Sequence, residues 1–402
     1  MPKASNTPLS CIFGLNKPTG QPSMTLLNKL QPLFSSSTLF KDPSSSTSSE
    51  QQQGGKKGGK GGRRGKWKQE RIKMGQGGTL DPLADGVLVI GTNQATKQLS
   101  KFLDCTKTYK AVALLGCSTD SYDSDGKILK LSPWKHVTKE LVREELEKNF
   151  KGEIEQTPPI YSALKMDGKP LYEYARSNTP LPRPIPSRKV TISEISLLSF
   201  TPGNERRDSY EFPKEILGEQ ERLEIERLEK MVKQGKTTLP DTEEILKEDQ
   251  ANTVVEAGSG TEQPNNTTSD TTATTTEPEE GKPPIFEISL TVSSGTYIRS
   301  VIHDLGHLLG SSAHVVKLTR TRQGQFSLLP SDPSEQEQEE EVENGLKGCI
   351  EWSLLEKAIE RQDKIKKGSQ EAKDEEDKEK ELEGNDGYLE WEREILKCCQ
   401  TV

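Results

Sequence analysis

A single carboxylate, Asp81, stands in a setting that could give it chemistry. Gly75, Gly77 and Gly78 lead into it, Pro82 follows it, and the apolar run Val87-Leu88-Val89-Ile90 comes next. Glycine lets the backbone turn tightly and lets a bulky ligand come close. Proline fixes its own φ and biases the residue before it away from helical geometry. A carboxylate held this way can attack a carbon centre or stabilise a sugar-ring cation. The same residues also read as a plain glycine-rich turn ahead of a buried strand, and the pattern alone leaves both readings open. A phosphate-cradling P-loop is excluded, because no Gly-Lys-Ser/Thr follows at the required spacing. An Asp-x-Asp phosphotransferase is excluded too, because residue 83 is leucine.

Two other groupings invite a metal. Three of the four histidines are clustered, and His303 and His307 stand four apart, like half of a metalloprotease site. No glutamate follows His303 and no third ligand has a familiar spacing, His314 included, so no metal is expected. The acidic stretch Asp120–Gly126, aligned as a calcium loop on its glycine, would place Ser121 first and Ser132 where the bidentate glutamate belongs. It is expected to be a turn.

The elements that must carry these residues follow from periodicity. Cys11–Leu15 reads as a strand running into Lys17-Pro18. Thr92 is placed to cap a helix bearing Ala95, Leu99, Phe102 and Leu103. Tyr109–Leu115 is a mostly apolar strand, and Val142, Leu146 and Phe150 mark an amphipathic helix. Gln156–Lys165 is a Pro-Pro loop that offers Tyr161 and Lys165 to a ligand. Val190–Phe200 has a strand pattern, and Phe286, Ile288, Leu290 and Val292 alternate with polar residues as in a half-buried strand. The next helix carries Ile298, Val301, Ile302, Leu305, Leu308 and Leu309 on one stripe, with Arg299 off it at the start. Strands, a few helices and long loops on one mixed sheet predict an α+β fold.

Composition sharpens this. With only 30% hydrophobic residues, much of the 402-residue chain cannot bury a core. Residues 203–284 hold 20 acids against 10 bases and residues 331–402 hold 23 against 11, so the overall −8 leaves +14 on the remainder. A basic body with acidic appendages suits a polyanion-binding enzyme. A catalytic domain is expected over 1–330, with disordered insertions at 35–66 and 203–284, the latter with one charged helix around Glu219–Val232. Residues 331–402 are expected to be an acidic, charged tail, in which Leu346–Ile359 and Tyr388–Leu396 can pack back on the core. Nine basic residues between Lys56 and Lys73 read either as a solvated linker or, equally, as a functional patch that contacts the RNA backbone or directs nuclear localisation. Six cysteines without metal spacing, no signal peptide and no apolar run of membrane-spanning length point to a reducing, soluble, intracellular setting with no membrane partner.

Lys73–Leu88, Lys-Met-Gly-Gln-Gly-Gly-Thr-Leu-Asp-Pro-Leu-Ala-Asp-Gly-Val-Leu, closely resembles the signature of the TruB-type tRNA pseudouridine synthases. Four more stretches match in order: Asn16–Gly20, Lys107-Thr108-Tyr109, Gln156–Lys165 and Ser294–Ser300. The resemblance covers about half the chain, and the long insertions point to the eukaryotic, fungal-like nuclear/mitochondrial branch. It implies a pseudouridine-synthase fold, with a central RNA-binding cleft across a mostly antiparallel sheet, and isomerisation of the T-loop uridine (position 55) of tRNA without cofactor or metal.

By the same resemblance, Asp81 is the nucleophile, Arg299 its charge partner, and Tyr109 the tyrosine that stacks on the flipped base. Attack at C6 of the base, attack at C1′ of the ribose and deprotonation at C2′ all remain open. Lys17, Gln76, Tyr161, Lys165, Arg320 and Arg322 are the expected RNA contacts. Two departures stand out: Gln76 occupies a position where the family commonly has histidine, and Asp85 one where it has Thr or Ser. No stretch reads as the small PUA domain of bacterial and archaeal relatives. The partner expected is the tRNA T-arm, with messenger RNA open as a second substrate. The protein is expected to be a monomer located in the nucleus, with a mitochondrial pool left open, although no presequence-like helix is seen. The competing reading is a non-catalytic tRNA-binding or tRNA-folding protein that retains the fold.

Overall fold

In the computed structural model, which describes residues 8–41, 71–177, 179–223, 225, 280–328, 346–382 and 387–402, the apolar run Cys11–Lys17 forms strand β1. Helix α1, Ser23–Ser36, turns Leu26, Leu27, Leu30, Leu33 and Phe34 inward at helical spacing, despite Pro32 in its interior. Strands β2 (Met74–Gln76) and β3 (Asp85–Thr92) flank the Asp81 loop. A 3₁₀ turn, Asn93–Gln98, and a short helix α2, Ser100–Asp104, lead to β4, Lys107–Leu115. The expected helix cap at Thr92 is not made. Its hydroxyl reaches β1 instead, accepting from Cys11 N at 3.2 Å.

Strands β5 (Cys117–Thr119) and β6 (Ile128–Leu131) pair with each other. Helix α3, Lys139–Asn149, is capped by Thr138, whose Oγ1 accepts from Leu141 N at 3.2 Å, and it buries Val142 and Leu146. Then come β7 (Gly152–Gln156), the short pair β8 (Lys165–Met166) and β9 (Lys169–Pro170), α4 (Leu171–Arg176), β10 (Arg188–Thr201) and β11 (Ile285–Val292). Helix α5, Ile298–Leu308, buries Ile298, Val301, Ile302 and Leu305, while Leu308 is turned out to solvent. The chain closes through β12 (Ala313–Gln323), β13 (Phe326–Ser327), β14 (Cys349–Glu351), α6 (Trp352–Lys366), α7 (Gln370–Leu382), α8 (Glu390–Cys398) and β15 (Gln400–Thr401). Helices set against mixed, mostly antiparallel strands make this the α+β fold that the periodicity implies.

The chain divides into two units, residues 1–110 with 318–402, and residues 111–317; β4 and β12 each run from one into the other. The first unit orders its strands β14-β1-β3-β12. β1 and β3 are antiparallel, with Leu15 opposite Leu88, and β3 and β12 are parallel, with Asp85 opposite Thr319. Its core joins Phe13, Phe34 and Phe40 from the start of the chain to Trp352, Leu355, Trp391 and Ile395 from its end. Phe34 and Trp391 stand 5.1 Å apart between ring centroids. The described part of the charged tail expected from residue 331 thus packs into the core of the first unit. The two stretches expected to pack back, Leu346–Ile359 and Tyr388–Leu396, supply these residues.

The second unit orders its strands β4-β11-β10-β7. β11 alternates buried and half-exposed residues along its length, as its sequence pattern implies. Residues 35–41 and 203–223, expected to lie within insertions, are part of the fold. Ser35 and Phe40 are buried in the first unit. Residues 203–223 are part of the second: Arg206 is buried and ion-paired to Asp208, Leu217 is buried, and Ile216 bridges to Ile128. The basic stretch up to residue 70, and the charged helix beyond residue 225, lie outside the described residues. Among the described residues no helix is long and apolar enough to cross a membrane.

Candidate active site

Asp81 sits half-buried in the loop between β2 and β3, and that loop is gripped by its backbone. From the N-terminal side, Ser23 Oγ donates to Leu80 O at 2.8 Å and accepts from Leu80 N at 3.1 Å. Gly20 N donates to Pro82 O at 2.8 Å, and Thr19 Oγ1 to Leu83 O at 2.6 Å. Lys17 Nζ donates to Pro18 O, Pro82 O and Ala84 O at 2.9, 3.2 and 2.5 Å. From β12, Arg320 Nε donates to Val87 O at 2.7 Å, and Gln323 Nε2 to Gly77 O at 2.5 Å. Gly86 has φ +99°, and a Cβ there would lie 2.3 Å from Arg320 O, so only glycine fits.

Lys17 is fully buried and Arg320 is 1% exposed. Both were expected to contact RNA; neither presents its charge to solvent, because carbonyl oxygens of the loop take it up. Burial pushes the Lys17 ammonium down to about 8, with Asp85 and Asp81 opposing and Arg320 adding to the fall. Gln76 is half-buried at the end of β2 and donates from Nε2 to Thr79 Oγ1 at 3.1 Å. Tyr109 is buried on β4. Arg322 is half-buried, with Nε donating to Gly324 O at 3.0 Å.

In the second unit Arg299 begins α5 and is 4% exposed. Its Nη1 donates to Ser121 O at 2.6 Å and lies 3.3 Å from Asp123 Oδ2, while its Nη2 donates to Tyr161 O at 2.9 Å. The Asp120–Gly126 stretch is the turn expected, and it also supplies this ion-pair partner. Tyr122 takes φ +64° at its bend, Asp123 Oδ1 accepts from Asp125 N, and Asp120 Oδ1 accepts from Lys127 N. Sequence reasoning missed Asp123, since nothing local marks a pairing across 176 positions. Tyr161 donates its hydroxyl to Asp120 Oδ2 at 3.2 Å. Burial, then the Asp120 charge, push the phenol up to about 12. Lys165 is exposed at the start of β8. The described structure therefore gathers Lys17 and Arg320 around the Asp81 loop in one unit, and Tyr161 around Arg299 in the other.

Residues 64–213 match the TruB family pseudouridylate synthase (N terminal domain). The chain is 39% identical over 339 residues to tRNA pseudouridine synthase 4 of Schizosaccharomyces pombe, covering 79% of each. It is 36% identical over 326 residues to the protein of the same name from Saccharomyces cerevisiae, covering 79% of this chain and 77% of that one. Similarity extends to tRNA pseudouridine synthase B of Parabacteroides distasonis, 32% identical over 263 residues, covering 65% of this chain and 76% of the other. The chain belongs to the TruB family of pseudouridine synthases, the isomerases that convert uridine to pseudouridine. Within that family it is of the eukaryotic type.

Proposed function

We propose that this enzyme isomerises the T-loop uridine at position 55 of tRNA, with Asp81 as nucleophile. The relatives' names support tRNA as the substrate class. The observation that carries the role of Asp81 is the grip on its loop: the backbone on both sides is tied down while the carboxylate stays partly open. Fixing a reacting group in this way removes much of the entropic part of a barrier.

The reaction breaks the bond from C1′ to N1 and forms one from C1′ to C5. N1 gains a proton and C5 loses one, so the base changes attachment with no net change in composition. Asp81 engages the substrate during cleavage; Arg299, buried against Asp123, Ser121 and Tyr161, orders the loops around it. Tyr109 stacks on the flipped base. Flipping costs about a few kcal/mol, and an aromatic partner returns about 1–3 kcal/mol. Gln76, Tyr161, Lys165 and Arg322 are the RNA contacts that the burial pattern leaves accessible.

Incubating tRNA transcripts with the enzyme and mapping pseudouridine tests the reading. Asp81→Asn should abolish conversion at position 55 while leaving tRNA affinity nearly intact, because phosphate contacts supply most of the affinity. Conversion within a few-fold of wild type would remove Asp81 from the mechanism. Messenger RNA fragments belong in the same assay. The proposed compartment is the nucleus, and imaging of a tagged chain decides between this and a mitochondrial pool.

A further inference from the structure

Helix α5 carries a constellation that the isomerisation does not use. His303, Asp304 and His307 each offer one metal-ligand atom, and these atoms all lie within 4.8 Å of one another. Histidines four apart share a helix face. No spacing rule supplied the third ligand; it is the neighbouring carboxylate, brought to the same place.

Both imidazoles are already oriented. His307 Nδ1 lies 3.1 Å from the carbonyl oxygen of His303. A carbonyl only accepts, so that nitrogen carries the proton and Nε2 keeps its lone pair. Metal-binding histidines are ordinarily set in this way, with the second ring nitrogen donating to a carbonyl or carboxylate. The His303 ring is stacked on Tyr122, with centroids 3.8 Å apart and planes at 16°, and meets the His307 ring edge-on at 4.4 Å. Asp304 and His307 are exposed, so small rotamer changes can bring all three ligand atoms to the roughly 2.0–2.2 Å that nitrogen and oxygen keep from a zinc ion set between them.

We propose that His303, Asp304 and His307 form a binding site for a divalent ion of the zinc class. Two imidazoles and one carboxylate make a borderline nitrogen–oxygen donor set, which favours zinc over magnesium and leaves a coordination position for water. The site is structural. Arg299 lies one turn before His303 on α5, and Tyr122 stands between Ser121 and Asp123, which hold Arg299. An ion on His303 therefore stiffens the helix at the point where the arginine is set.

The test titrates the full-length, metal-free chain with Zn²⁺ by calorimetry and with Co²⁺ by visible absorption. Saturable binding of one ion is expected, with d–d bands typical of nitrogen and oxygen ligands, and excess Mg²⁺ should not compete. Asp304→Asn and His307→Ala, both at exposed positions, should each weaken binding about tenfold or more. The double variant Cys398→Ser/Cys399→Ser should bind as wild type does. Circular dichroism confirms that each variant is folded. No saturable binding, equal affinity in the Asp304 and His307 variants, or loss of binding in the cysteine variant with thiolate charge-transfer bands would each overturn the site.

Discussion

The two units hold their functional side chains by opposite devices. In the first unit the fold grips the backbone around Asp81 and leaves the carboxylate itself half-open; the cations Lys17 and Arg320 are given over to loop carbonyls. In the second unit the side chain is gripped directly: Arg299 is buried against Asp123 and two carbonyls. The difference follows from valence. The loop that carries a carboxylate meant for substrate is tied by its backbone. A guanidinium has five donors and can be anchored with some to spare. The grip on the Asp81 loop is spread over many backbone bonds, whereas that on Arg299 falls on the guanidinium itself, with Asp123 among its partners.

The contrast breaks most readily at Asp123. Asp123→Asn leaves the buried guanidinium without that partner and should cost about 3–5 kcal/mol of stability, with kcat falling more than KM rises. A loss no larger than that from opening the Lys17 clamp would erase the distinction between a concentrated and a distributed grip. Trp391→Ala examines the first unit's core, and should cost about 3–5 kcal/mol in chemical denaturation. A near-neutral result would return residues 346–402 to the status of a tail.

Lys17→Met removes one clamp among several and leaves buried carbonyls unpaired, so about 1–3 kcal/mol is expected. Its pH dependence sharpens the comparison. The folded-state value near 8 lies below the unfolded value of about 10.4. Between these limits the unfolded chain binds more protons, so the stability of the wild type should rise relative to Lys17→Met as pH goes from 8 to 10. Urea melts at both ends of that window give the sign; a fall would mean that the Lys17 charge is not held at a cost. The smallest effect is expected from deleting residues 226–279, which are acidic and poor in apolar residues, since loop length itself costs little. Conversion and the midpoint of unfolding should both stay near wild type. Starting the deletion at 204 should destabilise the chain, because Arg206 and Leu217 are buried.

Much of this was legible in the residue order. The strands β3 and β11, the helices α3 and α5 and the Asp81 turn all follow from apolar periodicity, a Thr cap and glycine placement. Helix α1 was missed although its leucines have helical spacing; Ser35 and Ser36, its last residues, were read as the start of an insertion. Strand β12 was missed because Lys317, Arg320 and Arg322 interrupt its apolar pattern, and Arg320 lies on the buried side.

The sequence by itself determined what is local and what is chemical: which segments are strand or helix, where the chain bends, and the order of motifs that marks a pseudouridine synthase. Tertiary structure alone decided what each charge is for. Whether a lysine faces solvent or a ring of carbonyls depends on acceptors 65 to 67 positions away, and Arg299 finds its ion partner 176 positions upstream. Periodicity reports how a segment turns its apolar face. Charge pairing is set by distances through space, which exist only once the chain has closed on itself.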